Sequence, residues 1–578
     1  FAERGLAIRQ AQADLVRARA MLALGDPDGA GDLARSALAV SCGRDAPWLA
    51  PEAHHLLGNV AGARDDAAGA LHAYELAMTG IEQLQSALAI ELRGNFLEDK
   101  LRVYEDAIAV SLHLARPRLA FAYLERAKSR ALVDYLAGNP AIRIRTRPGA
   151  NRELVDQLVR LREEHHWFYN RLYDYGPARR AGAADGDGPN PAEEERLRAT
   201  VRDRERRIAR LLERLALDRA AEVGPVASAH AGAHLLPERL DPSTVLLEYH
   251  FRLDGSAVFV LSGAGLTAVP LDARPGDIRR LLGQWQLNLA TAARAIAAGT
   301  PLDGLGRNAR GILAALHRAL IAPVAAHLTG CERLIVVPYG PTHAVPFHAL
   351  YDTDSGRYLL EAVEVTACPS SSLLRLCAER PKRTVPDAAP SALVLAHTDG
   401  GRLPLVLEEA RAVAALLPGE SYVEHEATRD ALAAAASRHA VLHLAAHGEA
   451  RLDNPTFAHL KLADGQLGTV DVFNLDLDGA LVVLSACETG RSVVTGGDEL
   501  IGLSRGFLHA GAATLVQSLW RVEDGSTARL MADFYRALRA GRSKGAALRE
   551  AQLALLAAGE AHPYYWAPFQ LIGDNGGL

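Results

Sequence analysis

Hydrophobic spacing divides the chain into a helical part and a part in which strands alternate with helices. Through residues 1–140, and again among Arg and Glu from 151 to about 219, apolar residues recur at helical spacing. After Asp241, the apolar runs Val245–Phe251 and Ala257–Ser262 flank an Asp-Gly turn, which predicts a strand hairpin. From there to the end, strands alternate with helices, which is typical of a mostly parallel sheet covered by helices.

Further strands and helices are predicted beyond this hairpin. The strands are Arg333–Pro338, Ala392–Ala396, Ala440–Ala446, Ala480–Ser485 and Ala513–Ser518, and the helices are about 405–417, 428–438, 498–510, 526–540 and 543–557. Ligands bind outside the carboxyl ends of parallel strands, so the residues that follow these strands are the first candidates for chemistry.

The helical part carries a repeat. Ala70, Tyr74 and Ala77 follow the tetratricopeptide pattern, in which small residues let paired helices pack closely and an aromatic ring fills the gap. The same offsets recur as Ala30, Ala34, Ala37 and as Ala120, Leu124, Ala127. The resulting spacings, 40 and 50 residues, exceed the roughly 34 of a regular repeat, and an Ala-rich helical bundle is the alternative.

Four domains are expected along the chain. Residues 1–140 form tetratricopeptide-like helices, and 141–238 form a charged helical hairpin or linker whose loose tip is Gly182–Pro191. The mixture of Arg and Glu along this hairpin indicates a solvated face. Residues 239–390 and 391–578 are the two parts of the α/β region.

Composition and charge narrow the classes of function. The 578 residues carry 63 Lys and Arg against 69 Asp and Glu, a net charge of −6, so nucleic acid is not indicated as a partner. No apolar run approaches the roughly 18 residues that a membrane-spanning helix needs. The sequence contains neither a phosphate-binding loop nor a dinucleotide fingerprint after a strand, so we expect no cofactor.

The cysteines and the first residue indicate in which cellular compartment the protein is expected. The five Cys lie far apart, in odd number and without a Cys-x-x-Cys pair, which is neither a disulfide framework nor a zinc module. That pattern suits a reducing compartment. The sequence begins at Phe1 and so leaves a removed signal peptide open, but we expect a cytoplasmic protein.

Two predicted strands end in residues suited to nucleophilic catalysis. Ala440–Ala446 leads into His447 and Gly448, and Ala480–Ser485 leads into Cys487. If these strands are neighbours, about 4.8 Å apart, the thiol and the imidazole meet at one level. An imidazole activates a thiolate nucleophile, and the N–H groups of Gly448 and Cys487 can polarise a scissile carbonyl as an oxyanion hole. The alternative is a buried structural cysteine at the end of an apolar strand.

Two competing sites are less well supported by the pattern. On one continuous helix His439, His443 and His447 would share a face and could bind zinc. The helical pattern ends before His443, however, and in a strand His443 and His447 lie about 13 Å apart, so we expect no metal. Gly502–Gly506 matches the Gly-x-Ser-x-Gly pattern of serine hydrolases, but Ser504 lies in a helical segment rather than at a strand-to-helix turn.

Blocks around these two strand ends, and others in a fixed order, are similar to the motifs of one family. The blocks are Val336–Gly340, Val345–Phe347, Ala367–Leu373, Val441–Gly448, Leu484–Gly490, Gly497–Ala512, Ser518–Asp524 and His562–Phe569. They resemble CHAT domains, which are caspase-like, separase-related cysteine peptidases. The likeness covers roughly residues 240–578, and tetratricopeptide repeats ahead of it are the usual family arrangement.

The resemblance implies a fold and a function. The fold is caspase-haemoglobinase-like, with 391–578 as its catalytic part, His447 as general base and acid, and Cys487 as nucleophile. The function is that of a cysteine endopeptidase that cuts a specific protein and is gated or targeted by a regulatory protein bound to its repeats. Members often serve prokaryotic defence or regulated cell death. A catalytically silent repeat scaffold that binds partner proteins, and a hydrolase or transferase of small molecules, are the alternatives.

Substrate choice does not follow from caspases or separases. The nucleophile block is Ser-Ala-Cys-Glu-Thr instead of the caspase Gln-Ala-Cys-x-Gly, and Arg521 stands where separases carry an acid. The candidate pocket residues are Asp498, Trp520, Arg521 and Asp524. The acids favour a basic or apolar P1 residue, the one before the cut bond, whereas an inward Arg521 favours an acidic one. Asp498 and Asp524 also stand where helices are predicted to begin, and a carboxylate stabilises a helix there.

The segment that follows the nucleophile is rich in glycine. Glu488–Gly497 contains Gly490, Gly496 and Gly497 among small and polar residues. It is interpreted either as a mobile lid over the site or as an ordinary surface loop.

Overall fold

The structure, a computed structural model, describes most of the chain. The described residues are 7–43, 46–86, 100–128, 152–173, 191–223, 240–252, 255–383, 390–449, 457–485, 493–495 and 499–578. Within them, helices fill the part before residue 224 and strands begin at Thr244.

The elements alternate as predicted from Thr244 onward. The helices are α1 (Ala7–Ala23), α2 (Pro27–Gly43), α3 (Ala50–Ala63), α4 (Ala67–Ser86), α5 (Leu101–His113), α6 (Pro117–Ala127), α7 (Arg152–Tyr173), α8 (Pro191–Val223), α9 (Pro275–Ala297), α10 (Asp303–Leu320), α11 (Leu359–Ala362), α12 (Ser371–Ala378), α13 (Val406–Leu416), α14 (Arg429–Ala435), α15 (Thr469–Val472), α16 (Leu503–His509), α17 (Asp524–Arg539), α18 (Lys544–Ala557) and α19 (Pro563–Trp566). The strands are β1 (Thr244–His250), β2 (Ser256–Ser262), β3 (Gly265–Leu271), β4 (Arg333–Val337), β5 (Tyr351–Asp352), β6 (Arg357–Tyr358), β7 (Glu364–Ala367), β8 (Ala392–Ala396), β9 (Gly419–Val423), β10 (Val441–Ala445), β11 (His447–Glu449), β12 (His459–Leu462), β13 (Gly465–Gly468), β14 (Leu481–Ser485), β15 (Val493–Thr495), β16 (Glu499–Ile501), β17 (Thr514–Ser518) and β18 (Phe569–Gly573).

The pairs α1–α2, α3–α4 and α5–α6 share one turn geometry. A residue with positive φ makes each turn: Gly25 at 85°, Asp65 at 58° and Ala115 at 54°. The next N–H then donates back to the end of the preceding helix, as from Asp66 to the Ala61 carbonyl at 3.0 Å. The recurrence of this turn in three helix pairs confirms the predicted helical repeats.

The predicted seam residues pack between the paired helices. Ala70, Tyr74 and Ala77 are buried, and the Tyr74 hydroxyl donates to Asn59 Oδ1 at 2.7 Å. The Tyr74 ring lies against Gly58, and a Cβ at that position would clash with it. The other two seams are buried as well, at Ala30, Ala34, Ala37, Ala120, Leu124 and Ala127. Small residues therefore allow the close approach of the helices.

The charged segment forms the predicted helical hairpin from α7 and α8. Inside it His165 Nε2 lies 3.2 Å from Glu205 Oε1, and Arg204 Nε donates to Glu164 Oε2 at 2.7 Å. Of the predicted loose tip, Pro191 begins α8 and residues 182–190 lie outside the described part. The hairpin belongs to a compact unit of Gln83–Arg93 and Ala141–Ala229, whereas the other helices and the sheet share a second unit.

Eleven of the described strands form one mixed sheet. Their order is β3-β2-β1-β4-β7-β18-β17-β14-β10-β8-β9. The predicted hairpin is present as the antiparallel pair β1–β2. The strands β1, β4, β7 and β18 run parallel to one another, and β17, β14, β10, β8 and β9 form a second parallel set. The two sets meet at the antiparallel pair β17–β18, so their carboxyl ends lie at opposite edges of the sheet.

Helices cover both faces of this sheet and enclose a core on each. Because side chains alternate along a strand, Val441 and Ala445 of β10 enter one core while Leu442 and Leu444 enter the other. The described residues include no single helix that is long and apolar enough to cross a bilayer. The bent pair Asp303–Leu320 and Ala322–Leu328, at 68°, meets that criterion only when the two are taken together.

The predicted helix 498–510 is wrong at its start. Glu499–Ile501 forms strand β16, and the helix begins at Leu503 after Gly502, whose φ is 140°. Only glycine adopts that conformation readily, so the helix cannot extend back through it. The expectation that Asp498 begins this helix falls on a residue outside the described part of the chain. The short strands that the pattern missed, such as β7 and β9, are partly exposed or have few residues.

A buried polar cluster joins the last repeat helix to the sheet. We call it the junction cluster: Glu125, Lys128, Glu248, Ser371 and Ser372. Lys128 Nζ donates to the Pro338 carbonyl at 2.7 Å and lies 3.5 Å from Glu248 Oε1. Glu125 accepts the first N–H groups of α12, from Ser371 at 3.1 Å and Ser372 at 2.6 Å. Burial, with Glu125 adding to it, raises the pKa of Glu248 well above its ordinary value, while Lys128 opposes the rise.

Candidate active site

The two strands that lead into the predicted dyad are parallel neighbours. Val441 pairs with Leu481, and the register continues until Ala445 lies opposite Ser485. His447 and Cys487 each follow two residues later in the sequence. His447 is described and half-buried, whereas Cys487 lies outside the described residues. Of the predicted lid Glu488–Gly497, only Val493–Thr495 is described, as β15.

The helix–strand break predicted before His447 is present. Thr428 caps α14 by accepting the Ala431 N–H at 3.1 Å, and helical structure ends at Arg438. His443 then lies inside β10, where its Nδ1 is 3.0 Å from the Tyr535 hydroxyl and its Nε2 is 3.1 Å from Glu409 Oε1. His443 is therefore a core residue. No group of three or more metal-ligating side chains occurs among the residues that the structure describes.

His447 begins the short strand β11, which turns away from β10 and pairs with β12. In this antiparallel pair His447 lies opposite Lys461, and Gly448 lies opposite Leu460. Gly448 is buried, and its part in an oxyanion hole stays a prediction.

The charges around His447 set its protonation. Burial lowers the pKa of His447 below its ordinary value. The carboxylates of Asp399 and Glu449 act against this effect, and the cations of Arg521 and Lys461 add to it. The imidazole is therefore mostly neutral at neutral pH, the form that can accept a proton from a thiol.

Asp399 is a charged residue of this site that the sequence analysis missed. It lies in the turn after β8, and 5% of its side chain is exposed. Lys461 Nζ is 2.7 Å from Asp399 Oδ1, and Arg402 Nη1 is 3.1 Å from its Oδ2. The signal that could have revealed it is the run Asp399-Gly400-Gly401 directly beyond a predicted strand.

A small cavity opens beside the same strand ends. Its walls are Leu403, Val406, Glu409, Ala446, Ser485, Val522, Asp524 and Thr527. Ala446 directly precedes His447, and Ser485 is the last residue of β14. The buried oxygens Ser485 Oγ and Glu409 Oε1 have no hydrogen-bond partner among the described residues, although the His443 ring lies near Glu409. The cavity thus combines apolar walls with two carboxylates.

Asp524 lines this cavity, but it does not cap its helix as expected. Glu523 is the N-cap of α17, and its carboxylate accepts the N–H groups of Gly525 at 3.0 Å and Ser526 at 2.6 Å. The Glu523 carboxylate thus binds both of these N–H groups in the first turn of the helix. The Asp524 carboxylate does not take part in the cap and lies at the cavity wall. Burial, with Glu523 and Glu409 adding to it, raises the pKa of Asp524.

The other predicted pocket residues are placed differently. The Trp520 ring packs on Trp285 at 5.5 Å between centroids, and its Nε1 donates to the Tyr564 carbonyl at 3.3 Å. These are the contacts of a core residue rather than of a pocket wall. Arg521 is exposed and close enough to His447 to lower its pKa. Asp498 lies outside the described residues. Ser504 is buried in α16, where its hydroxyl donates to Gln517 Oε1 at 2.6 Å.

Comparison with known proteins gives this architecture a family context. Residues 310–574 match the CHAT domain family. The chain is 29% identical over 323 residues to tetratricopeptide repeat protein 28 of Homo sapiens, and the match covers 46% of this chain and 13% of that protein. It therefore spans only a small part of that relative's length.

Solved structures with a related arrangement have low sequence identity. The separase–securin complex of Saccharomyces cerevisiae has a TM-score of 0.44 and 9% identity, over 97% of this chain and 49% of that one. The cysteine proteinase gingipain R has a TM-score of 0.33 and 11% identity, over 47% and 68%. Residues 310–574 are therefore similar to the CHAT domain family, and in this chain they follow a region of tetratricopeptide-like helical repeats.

Proposed function

We propose that the chain is a cysteine endopeptidase in which His447 and Cys487 act as a catalytic dyad on a protein substrate. The observation that carries the proposal is the parallel register of β10 and β14, with Ala445 opposite Ser485. The two chain segments leave the sheet at one level, after Ala445 and Ser485, and each dyad residue follows its paired residue by two positions in the sequence. The CHAT match and the motif resemblance around both residues support the same assignment.

The proposed reaction needs only these groups and water. His447 takes the proton of the Cys487 thiol, and the thiolate attacks the carbonyl carbon of the scissile peptide bond. The oxyanion that forms accepts hydrogen bonds from the N–H groups of Gly448 and Cys487. The imidazolium then protonates the leaving amine, and a water molecule, deprotonated by His447, hydrolyses the thioester.

The cavity beside the strand ends supports a basic P1 residue. Glu409 and Asp524 contribute two carboxylates to its wall, and none of its described lining residues is Lys or Arg. A guanidinium or ammonium group would give the buried Ser485 and Glu409 oxygens a donor.

The helical repeats are proposed to bind a regulatory or targeting protein. Stacked helix pairs form extended surfaces of the kind that bind peptides and proteins. The junction cluster connects these repeats to the sheet, so a bound protein has a physical route to the catalytic part. A role in prokaryotic defence or regulated cell death belongs to the proposal through the resemblance alone.

Mapping new protein N-termini in a proteome tests the proposal. Wild type should generate a small set of new termini that Cys487→Ala does not produce. Cys42→Ala is the matched control, because Cys42 is an exposed free cysteine in the helical part, and it should cut like wild type. A dominant basic P1 residue would support the acidic cavity as its pocket, and a dominant acidic P1 residue would assign the pocket to Arg521.

A binding scaffold is the second candidate, because the curated relative is named as a tetratricopeptide repeat protein. In that case the same experiment yields no terminus that depends on Cys487. Partner capture from the same extract would then be equal for wild type and Cys487→Ala.

A further inference from the structure

A third strand end lies beside the two that lead into the dyad. β8 is the neighbour of β10 on the side away from β14, and Ala396 lies opposite Ala445. Beyond the strand, the His397 N–H donates to the Ala445 carbonyl at 3.0 Å. The turn that follows β8 therefore starts at the same sheet edge as the segment that carries His447.

The backbone of this turn fixes the direction of Asp399. Its φ is 53°, a left-handed conformation that residues other than glycine rarely adopt. The Thr398 hydroxyl holds the turn, since it donates to Glu424 Oε1 at 2.7 Å and accepts the Gly401 N–H at 3.1 Å. Strained non-glycine residues cluster at functional sites, where the surrounding structure maintains them.

The Asp399 carboxylate is ionised in spite of its burial. Burial acts to raise the pKa of Asp399, but Lys461, Arg402 and His447 together hold it below the ordinary value. Lys461 is the nearer cation, with Nζ 2.7 Å from Oδ1. It is also the residue directly opposite His447 in the β11–β12 pair, where facing Cα atoms are about 4.5–5.5 Å apart.

The second carboxylate near His447 is more exposed to solvent than that of Asp399. The Glu449 side chain is 34% exposed, and its Oε2 lies 3.8 Å from His459 Nε2. Solvent screens an exposed charge more than a buried one. Four described charged groups act on His447: Asp399, Glu449, Lys461 and Arg521. Among these four, Asp399 alone is both negative and buried.

We propose that Asp399 is a positioning residue for His447, whose buried carboxylate neutralises Lys461 beside the ring and supplies the negative charge that stabilises the imidazolium. The inference rests on the proposed peptidase, in which His447 becomes a cation when it takes the Cys487 proton. Without Asp399, that cation would form next to Lys461 and Arg521, and the partly exposed carboxylate of Glu449 would oppose their charges less strongly. The three residues of this arrangement would then each come after one of three adjacent parallel strands: Asp399 after β8, His447 after β10 and Cys487 after β14.

An NMR titration of the His447 ring tests the charge relationship without using activity. All variants are made in the Cys487→Ala chain with labelled histidine, and His447→Gln assigns the signal. Asp399→Asn should lower the pKa of His447, because Asn keeps the left-handed turn but not the charge. Lys461→Met should raise it, and the control Glu449→Gln should lower it less than Asp399→Asn does. An unchanged His447 titration in Asp399→Asn overturns the inference.

Alkylation of Cys487 links the charge to the nucleophile. In the chain with Cys487 intact, Asp399→Asn should slow modification by iodoacetamide at neutral pH about tenfold, with the exposed Cys42 as internal reference. An equal rate would overturn the role of Asp399 in thiolate formation. If cleavage depends on Cys487 while neither readout responds to Asp399→Asn, this inference fails and the peptidase stands. If no cleavage depends on Cys487, the proposed function fails whatever the titration gives.

Discussion

The two parallel sets of strands in the sheet run in opposite directions, and their carboxyl ends serve different purposes. Beyond β4 and β7, Lys128 reaches the Pro338 carbonyl, and Glu125 binds the N-terminus of α12. Beyond β8 and β10 lie Asp399 and His447, beside a cavity in which two buried oxygens lack a hydrogen-bond partner among the described residues. Ligands commonly bind at the carboxyl ends of parallel strands. In the first set, residues of the last repeat helix occupy this position instead. In the second set, the described strand ends are not covered by this helix, and under the proposed function they would contact the substrate.

The charged residues at the junction cluster are more deeply buried than those at the candidate site. Lys128 and Glu248 of the junction cluster have fully buried side chains, whereas His447 is half-buried and Arg521 is exposed. Removing one member of a buried charge pair costs folding free energy, because the partner is left uncompensated. Changes at the candidate site should therefore reduce activity, and changes at the junction should reduce stability.

The largest expected effect is at the dyad. Cys487→Ala and His447→Ala should each lower the cleavage rate by about 1000-fold or more, since the thiolate and its base act as a unit. Neither should shift the urea midpoint by much. His443→Ala is the contrasting change: it leaves Glu409 and Tyr535 buried without their shared partner, and should cost about 1–3 kcal/mol in urea unfolding. Full peptidase activity in Cys487→Ala would contradict the dyad.

The next effect is at the junction cluster. Lys128→Met should lower the free energy of unfolding by about 3–5 kcal/mol, because Glu248 loses its buried cation. Adding Glu248→Gln should restore part of the loss, since the amide carries no charge. Denaturation followed by circular dichroism measures both. A loss that is the same with and without Glu248→Gln would show that packing of the Lys128 stem, and not its charge, holds the junction.

The contrast between these edges also explains what the sequence could predict. Strand limits such as Ala392–Ala396 follow from uninterrupted apolar runs, and the tetratricopeptide seam follows from small residues at fixed offsets. The pairing of Glu125 with Ser371 joins residues 246 positions apart, and no local pattern encodes it. Lys461 approaches Asp399 only because β12 folds back over His447. Periodicity identifies elements, whereas these charge partners depend on the tertiary fold.

A smaller effect tests whether the junction transmits changes from the repeats. Gly58→Ala should destabilise the repeats by about 1–3 kcal/mol, because the new methyl group meets the Tyr74 ring. Gly62→Ala in the same helix is the matched control, since a Cβ there has open space, and it should be neutral or stabilising by up to about 1 kcal/mol. If the repeats and the sheet unfold as one unit, tryptophan and circular dichroism midpoints should fall together in Gly58→Ala. Separate midpoints would mean that the junction does not couple them.

The smallest expected changes in stability distinguish the roles of two adjacent acids: Glu523 caps α17, and Asp524 lines the cavity. Glu523→Ala removes the cap of α17 and should cost about 1 kcal/mol, with P1 preference retained. Asp524→Asn should leave unfolding nearly unchanged, because its carboxylate is not the cap, but should weaken any preference for basic P1 residues. A peptide library that varies only P1 measures the preference, and urea unfolding measures the cap. If Asp524→Asn left P1 preference intact while Glu409→Gln removed it, the selecting charge would be the deeper carboxylate, nearer to His443. If neither variant altered the preference, the cavity at this edge would be packing space, and substrate recognition would lie with exposed groups such as Arg521.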